Sequence, residues 1–148
     1  MGGAALHANR DMHQVCIEGT GIVVASRVAP AHGLWSRTGG LMFRGALADG
    51  EAIDIRPCSS IHMMFMRFAI DAVFYDREFR VTKVARGVKP WFGLAFGGRG
   101  SRGVIELASG AASPVKPGDV LVFEPVTEDC RASTEVRAHA GVAPGGQG

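Results

Sequence analysis

The longest apolar stretch of the chain, Ile61 to Tyr75 (IHMMFMRFAIDAVFY), runs for 15 residues and carries Arg67 and Asp71 inside it. A single strand is usually ~3–10 residues, so this stretch predicts a bend or two segments. The other apolar runs are shorter and are separated by Gly, Pro and Asp. IVVA lies within Cys16 to Ser26, AIDI spans Ala52 to Ile55, and RVTKVA spans Arg80 to Ala85. VIEL spans Val104 to Leu107, and DVLVF spans Asp119 to Phe123. Short alternating runs punctuated by turn residues are the signature of strands joined by tight connections. Short helices are expected at Ala29–Arg37, ended by Gly39-Gly40, and as one turn over Ala108–Ser113, stopped by Pro114. The expectation is a mainly β, compact single-domain sandwich or barrel-like fold with one or two short helices.

The chain has 148 residues, which suits one domain. Glycine is the compositional outlier: 21 residues, about twice the usual ~7%. Residues 1–14 are small and polar and read as a flexible N-terminus. Residues 15–126 are expected to form the β domain, and residues 127–148 read as a disordered tail.

Sixteen basic and 14 acidic residues leave a net charge of +2, which makes no electrostatic case for nucleic acid. Three widely spaced cysteines, Cys16, Cys58 and Cys130, contain no CxxC pair and are no disulfide framework. No apolar run approaches the ~20 residues of a membrane helix, and no signal-like h-region opens the chain. Free thiols and these absences point to a soluble cytoplasmic protein with no membrane partner.

Several motifs together narrow the fold further. GLMFR (Gly40–Arg44) is preceded by Arg37 in an Arg-x-x-Gly-Leu-Met pattern. In Ser60–Asp76, Phe65, Met66 and Arg67 precede Ile70-Asp71 and then Phe74. VIELASG (Val104–Gly110) and PGD (Pro117–Asp119) follow. In this order the motifs resemble the family known as domain of unknown function 192, over about Ile22 to Phe123. The resemblance implies a single mainly β domain from bacteria or archaea, some members being exported, and implies no established reaction. Ala69 and Ala108 stand where that family often has Pro, and the Asp76–Phe79 turn lacks the Gly common in such hairpins.

Arg67 lies in an apolar run, where an unpaired charge is costly. Asp71, Glu106 and Asp119 are its candidate partners. One reading is a structural ion pair. The other is a polar pocket in which Arg67 anchors an anion and Asp71 accepts hydrogen bonds or acts as a base. Arg44, His62 and Glu106 complete the candidate binding set with Arg67 and Asp71. Cys58, His62, Met64 and Met66 contain soft ligand atoms, but strand spacing of ~6.6 Å between same-face neighbours sets them too far apart for one metal. No metal or other cofactor is expected. A Cys58–His62 dyad needs a bend at Ser59-Ser60 and has no third orienting residue. GRGSRG (Gly98–Gly103) satisfies GxGxxG, but a strand follows it where a dinucleotide site needs a helix. Arg99 and Arg102 leave room there for an anion-binding loop. Trp91, Phe92 and Phe96 in the same Gly-rich stretch are expected to fold back onto the core.

The first functional reading is therefore a β domain, leaning away from enzyme, that binds a small anionic ligand or a protein segment around Arg67 and Asp71. One alternative is a hydrolase with Asp71 or His62 as general base. The other is a structural or interaction domain without a ligand. The partner expected is a small molecule or a protein, with the chain a monomer or weak dimer.

Overall fold

The computed structural model describes residues 12–31, 46–64 and 66–126. Nine strands occur among them, and no helix. They are β1 (His13–Ile17), β2 (Val23–Pro30), β3 (Glu51–Ile55), β4 (Ser60–His62), β5 (Ile70–Tyr75), β6 (Val81–Val88), β7 (Leu94–Phe96), β8 (Gly103–Ala108) and β9 (Leu121–Pro125).

Seven strands form one sheet in the order β6-β5-β8-β3-β2-β1-β9. All neighbours are antiparallel except β2 and β3. The sheet curls into a half-barrel. Its two outer strands meet through the Arg80–Val120 bridge, with Val81 N–H donating to Asp119 O (2.7 Å) and Leu121 N–H to Phe79 O (2.9 Å). The remaining strands, β4 and β7, pair as a separate two-stranded ribbon.

The period of 2 along each strand divides the apolar residues into two cores. The inner core collects Val15, Val28, Val73, Ile105, Leu107 and Leu121 from around the curl, with Ala112 and Val115 from the β8–β9 connection. The second core lies on the other face of the sheet. There Ile53, Ile70, Ala72, Phe74 and Val104 meet Ile61, Met63, Met66 and Ala95, from the ribbon and the chain around it.

The long apolar stretch does divide. It supplies β4 and β5, and Met66 N–H donates to Met63 O (3.0 Å) at the bend between them. β5 is buried at all six positions because it lies between the two cores. Two local expectations change. The expected single strand in Cys16–Ser26 is a hairpin, with Gly19 and Gly21 at positive φ between β1 and β2. Ala29 and Pro30 end β2, where a helix start was expected, and Ala108–Ser113 ends β8 and continues as turns. The remainder of the first expected helix, with Arg37, the GLMFR motif and Arg44, lies outside the described residues, as do Phe65 and the C-terminal stretch 127–148.

Candidate functional site

Asp71 and Arg67 do not meet. Asp71 stands near the start of β5 on the inner-core face and is completely buried. Its Oδ1 accepts Gly87 N–H (2.8 Å), and its Oδ2 accepts Gly110 N–H (2.9 Å) and Ala112 N–H (3.0 Å). The carboxylate thus ties β6 and the β8–β9 connection to β5. Arg86 works on the same connection, donating to Val115 O (2.7 Å) and Ala112 O (3.3 Å). Arg67 lies before β5, exposed, and makes no ion pair among the described residues. A pocket shared by Arg67 and Asp71 is therefore not formed: one side chain reaches solvent and the other is enclosed by backbone donors. Asp119, also considered for Arg67, accepts Lys116 N–H (2.8 Å) within its own turn.

His62 is exposed on the outer side of the β4–β7 ribbon. Met64 is exposed and Met66 is buried, because the strand stops at His62 and the alternation is lost. The Cys58 thiol donates to Ser60 O (3.0 Å). Among the described residues no group of three His, Cys, Asp or Glu is placed to hold a metal ion.

Glu106 takes a different position. Its cross-strand partners are Ile53 on β3 and Ala72 on β5. Partners across a ladder share a face, and both of these belong to the second core. The next partners outward are Ala29 on β2 and Ala85 on β6. One row across five strands therefore reads Ala29, Ile53, Glu106, Ala72, Ala85. Glu106 is partly buried and has no hydrogen-bond or ion-pair partner among the described residues. Burial without a compensating donor disfavours the anion and pushes its pKa up to about 7.

A second polar group escapes sequence reasoning. β2, β3 and β5 run in the same direction, and their C-terminal ends bring together Pro30, Asp54 and Tyr75. Asp54 is almost fully buried and accepts the Tyr75 hydroxyl in a very short hydrogen bond. Arg56 donates to Asp54 Oδ2 from Nε (2.7 Å) and one terminal nitrogen (2.5 Å). The guanidinium also lies over the rings of Phe123 (4.8 Å), Phe79 (5.3 Å) and Tyr75 (5.8 Å). Burial works against the Arg56 charge, but the Asp54 hydrogen bonds and charge outweigh it and hold its pKa above the usual value. Burial first, and then the Asp54 charge, push the Tyr75 phenol far above its usual value. Beside this cluster is a pocket of about 70 Å³, lined by His13, Val28, Pro30, Asp54, Arg56 and Phe123. The only sequence trace of the cluster is an acid inside an alternating strand, AIDI, with Arg56 just after it.

The third feature is apolar. Phe92 is 91% exposed, Leu94 65%, Phe96 61%, Met64 54% and Trp91 49%. The expectation that Trp91, Phe92 and Phe96 cover the core is thus corrected. The ribbon buries only Ile61 and Ala95, so the alternating positions Leu94 and Phe96 must face outward. They stand opposite His62 and Ser60. Met63 N–H donates to Gly93 O (2.9 Å) and Gly97 N–H to Ser59 O (2.8 Å). That pattern makes His62–Leu94 and Ser60–Phe96 non-hydrogen-bonded pairs, whose backbone groups point to the outer edges of the ribbon. No further strand pairs with either edge among the described residues.

A sequence-family model described as Uncharacterized ACR, DUF192, matches residues 14–123. The chain belongs to the DUF192 family. The match begins and ends in β1 and β9, the neighbouring strands at one side of the sheet. Two solved structures are similar. One is a protein of unknown function from Novosphingobium aromaticivorans (24% identity, TM-score 0.64), with 75% of this chain and 84% of that chain covered. The other is described as a candidate transcription regulator from Sinorhizobium meliloti (20% identity, TM-score 0.67), with 78% and 95% covered. At these identities the likeness is one of fold. No curated protein matches significantly.

Proposed function

We propose that this DUF192 domain is a binding module that docks an extended, acidic segment of a partner protein on the β4–β7 ribbon. The observation that carries the reading is the ribbon itself. Five large apolar side chains are exposed on it and beside it, and no further strand pairs with its edges among the described residues. An exposed apolar patch of this kind marks an interaction surface. An open strand edge is a template for adding a further strand, with main-chain bonds giving affinity and alternate side chains giving specificity.

Charge narrows the partner. Arg80 to Ile105 contains Arg80, Lys83, Arg86, Lys89, Arg99 and Arg102 and no Asp or Glu. Arg56 to Ile70 contains Arg56 and Arg67 and again no acid. Arg67, Lys89, Arg99 and Arg102 are all exposed. These stretches include both ribbon strands, so the surroundings of the apolar patch are basic although the whole chain is nearly neutral. Opposite charge on the partner speeds encounter and penalises basic competitors. A lipid surface fits less well, because open strand edges are not left in hydrocarbon.

The test is an NMR titration of the full chain with a nine-residue peptide of alternating Glu and Val, against the same peptide with Lys for Glu. The expected result is saturable shifts confined to residues 59–64 and 91–97 for the Glu peptide, reduced in Leu94→Ser. Equal binding of the Lys peptide overturns the reading. So does binding of anionic vesicles or single-stranded DNA in preference to the Glu peptide.

A further inference from the structure

The pocket beside Asp54 is independent of the ribbon. It lies at one end of the half-barrel, on the inner face of the sheet. Val28 belongs to the inner core and Phe123 packs against it. Pro30 stands two residues beyond Val28 and is the register partner of Asp54, so both continue the same face. Val28 and Asp54 are buried and make the floor of the pocket. His13, Pro30, Arg56 and Phe123 are partly exposed and make its rim. The volume is about 70 Å³. A cavity of ~150 Å³ takes a benzene ring, so this one takes about three or four heavy atoms.

The charges at the pocket narrow what those atoms can be. Asp54 is the acid and Arg56 the guanidinium, and they are bonded to each other through Asp54 Oδ2. The guanidinium is held further by the rings of Phe123, Phe79 and Tyr75. An anion entering the pocket meets the Asp54 carboxylate, and a cation meets Arg56. Like charge at such a distance is penalised in both cases. A neutral group is opposed by neither.

The floor asks for a hydrogen-bond donor. A carboxylate offers about four acceptor positions. Among the described residues Asp54 receives the Tyr75 hydroxyl at Oδ1, and Nε and one terminal nitrogen of Arg56 at Oδ2. An acceptor position therefore remains on a buried carboxylate that lines the pocket. The walls ask for carbon, because Val28, Pro30 and Phe123 are apolar. A hydroxyl on a short carbon chain meets both demands. It donates to a carboxylate and accepts from a cationic neighbour, which is the pairing that Asp54 and Arg56 present.

We infer that this pocket is a binding site for the terminal diol of a small neutral polyol. Asp54 accepts one hydroxyl at the floor, and the carbon atoms lie against Val28, Pro30 and Phe123.

The experiment is an NMR titration of the full chain with glycerol, repeated with sodium acetate and with methylammonium chloride. Expected with glycerol are saturable shifts at the amides of His13, Val28, Asp54, Arg56 and Phe123, and none there with the two ions. Asp54→Asn, which replaces one acceptor oxygen by a donor, is expected to bind glycerol about tenfold more weakly or worse. Val28→Ile places one more carbon against the small volume and keeps Asp54, Arg56 and Tyr75. It is expected to lose binding while Tyr75 titrates as in the parent, and it decides alone if Asp54→Asn does not fold. Absence of saturable shifts with glycerol overturns the inference, as does tighter binding of acetate or methylammonium. So does glycerol binding unchanged in Val28→Ile. None of these readouts involves the ribbon, so the outcome is separate from that of the peptide titration.

Discussion

Asp71 Oδ2 accepts the backbone N–H of Ala112 at 3.0 Å, so a residue at the start of β5 holds the loop whose Ala112 and Val115 complete the inner core. The same carboxylate accepts N–H groups from Gly87 and Gly110. One buried acid thus links three separate parts of the chain. Replacing it by Ala strands a buried donor at Ala112 and loosens the loop, at a cost of about 2–4 kcal/mol. Asp71→Asn is expected to destabilise as well. Either way round, an amide nitrogen replaces an acceptor facing a backbone N–H. Urea unfolding of both variants checks this. A cost below ~0.5 kcal/mol for Asp71→Ala, the level of an ordinary surface change, would remove Asp71 from this role.

Tyr75 gives a second test. It is the only tyrosine in the chain, so the phenolate absorbance near 295 nm reports on it alone. Burial and then the Asp54 charge raise its folded pKa far above the unfolded value of ~10. A raised folded pKa contributes stability that is present below the unfolded pKa and is lost as pH rises above it. The phenol is therefore expected to stay protonated at pH 11 while the chain is folded, and to ionise together with the loss of near-UV circular dichroism. Ionisation at pH 10 with the fold intact would show that the Asp54 contact does not hold in solution.

Glu106 has the same sign at lower pH. Its pKa rises from an ordinary 4.5 to about 7 through burial. Its contribution is complete below about pH 4.5 and is lost as pH rises to about 7, amounting to roughly 2–3 kcal/mol across that window. Glu106→Gln removes this slope. The expected outcome is a variant more stable than the parent at pH 8 and little different at pH 4.5, read by urea unfolding at the two pH values. A parent and variant with parallel stability profiles between pH 4.5 and pH 8 would contradict it.

Gly103 reports on close packing. A Cβ there meets the Tyr75 ring and hydroxyl, and the buried ring packs against Phe79 and Phe123. Gly103→Ala is expected to cost about 1–3 kcal/mol by overpacking and to weaken the Tyr75–Asp54 hydrogen bond. The accompanying readout is a lower ionisation pH for Tyr75. A stable variant with unchanged tyrosine titration would refute the contact.

The ribbon is expected to behave in the opposite way. Leu94 and Phe96 bury little, so Leu94→Ser and Phe96→Ser should each change stability by no more than about 0.5 kcal/mol. A large loss of stability in either variant, measured by thermal unfolding, would mean that these side chains serve the fold.

The strands were legible because alternation and turn residues act over short distances in the chain. RVTKVA, VIEL and DVLVF all appear as strands, and the division of the 15-residue apolar stretch follows from strand length alone. The family was legible too, since its motifs are local. The faces were not. Whether Arg67 reaches Asp71 depends on the bend after β4, and whether Glu106 shares a face with Ala72 depends on a register set by the sheet. Asp54 joined Arg56, Tyr75, Phe79 and Phe123 only because three strands run in the same direction and the sheet curls. Local sequence thus determined which segments become strands, through steric preference and apolar period. The tertiary structure alone decided which polar groups meet, because strand pairing brings together residues that are remote in the chain.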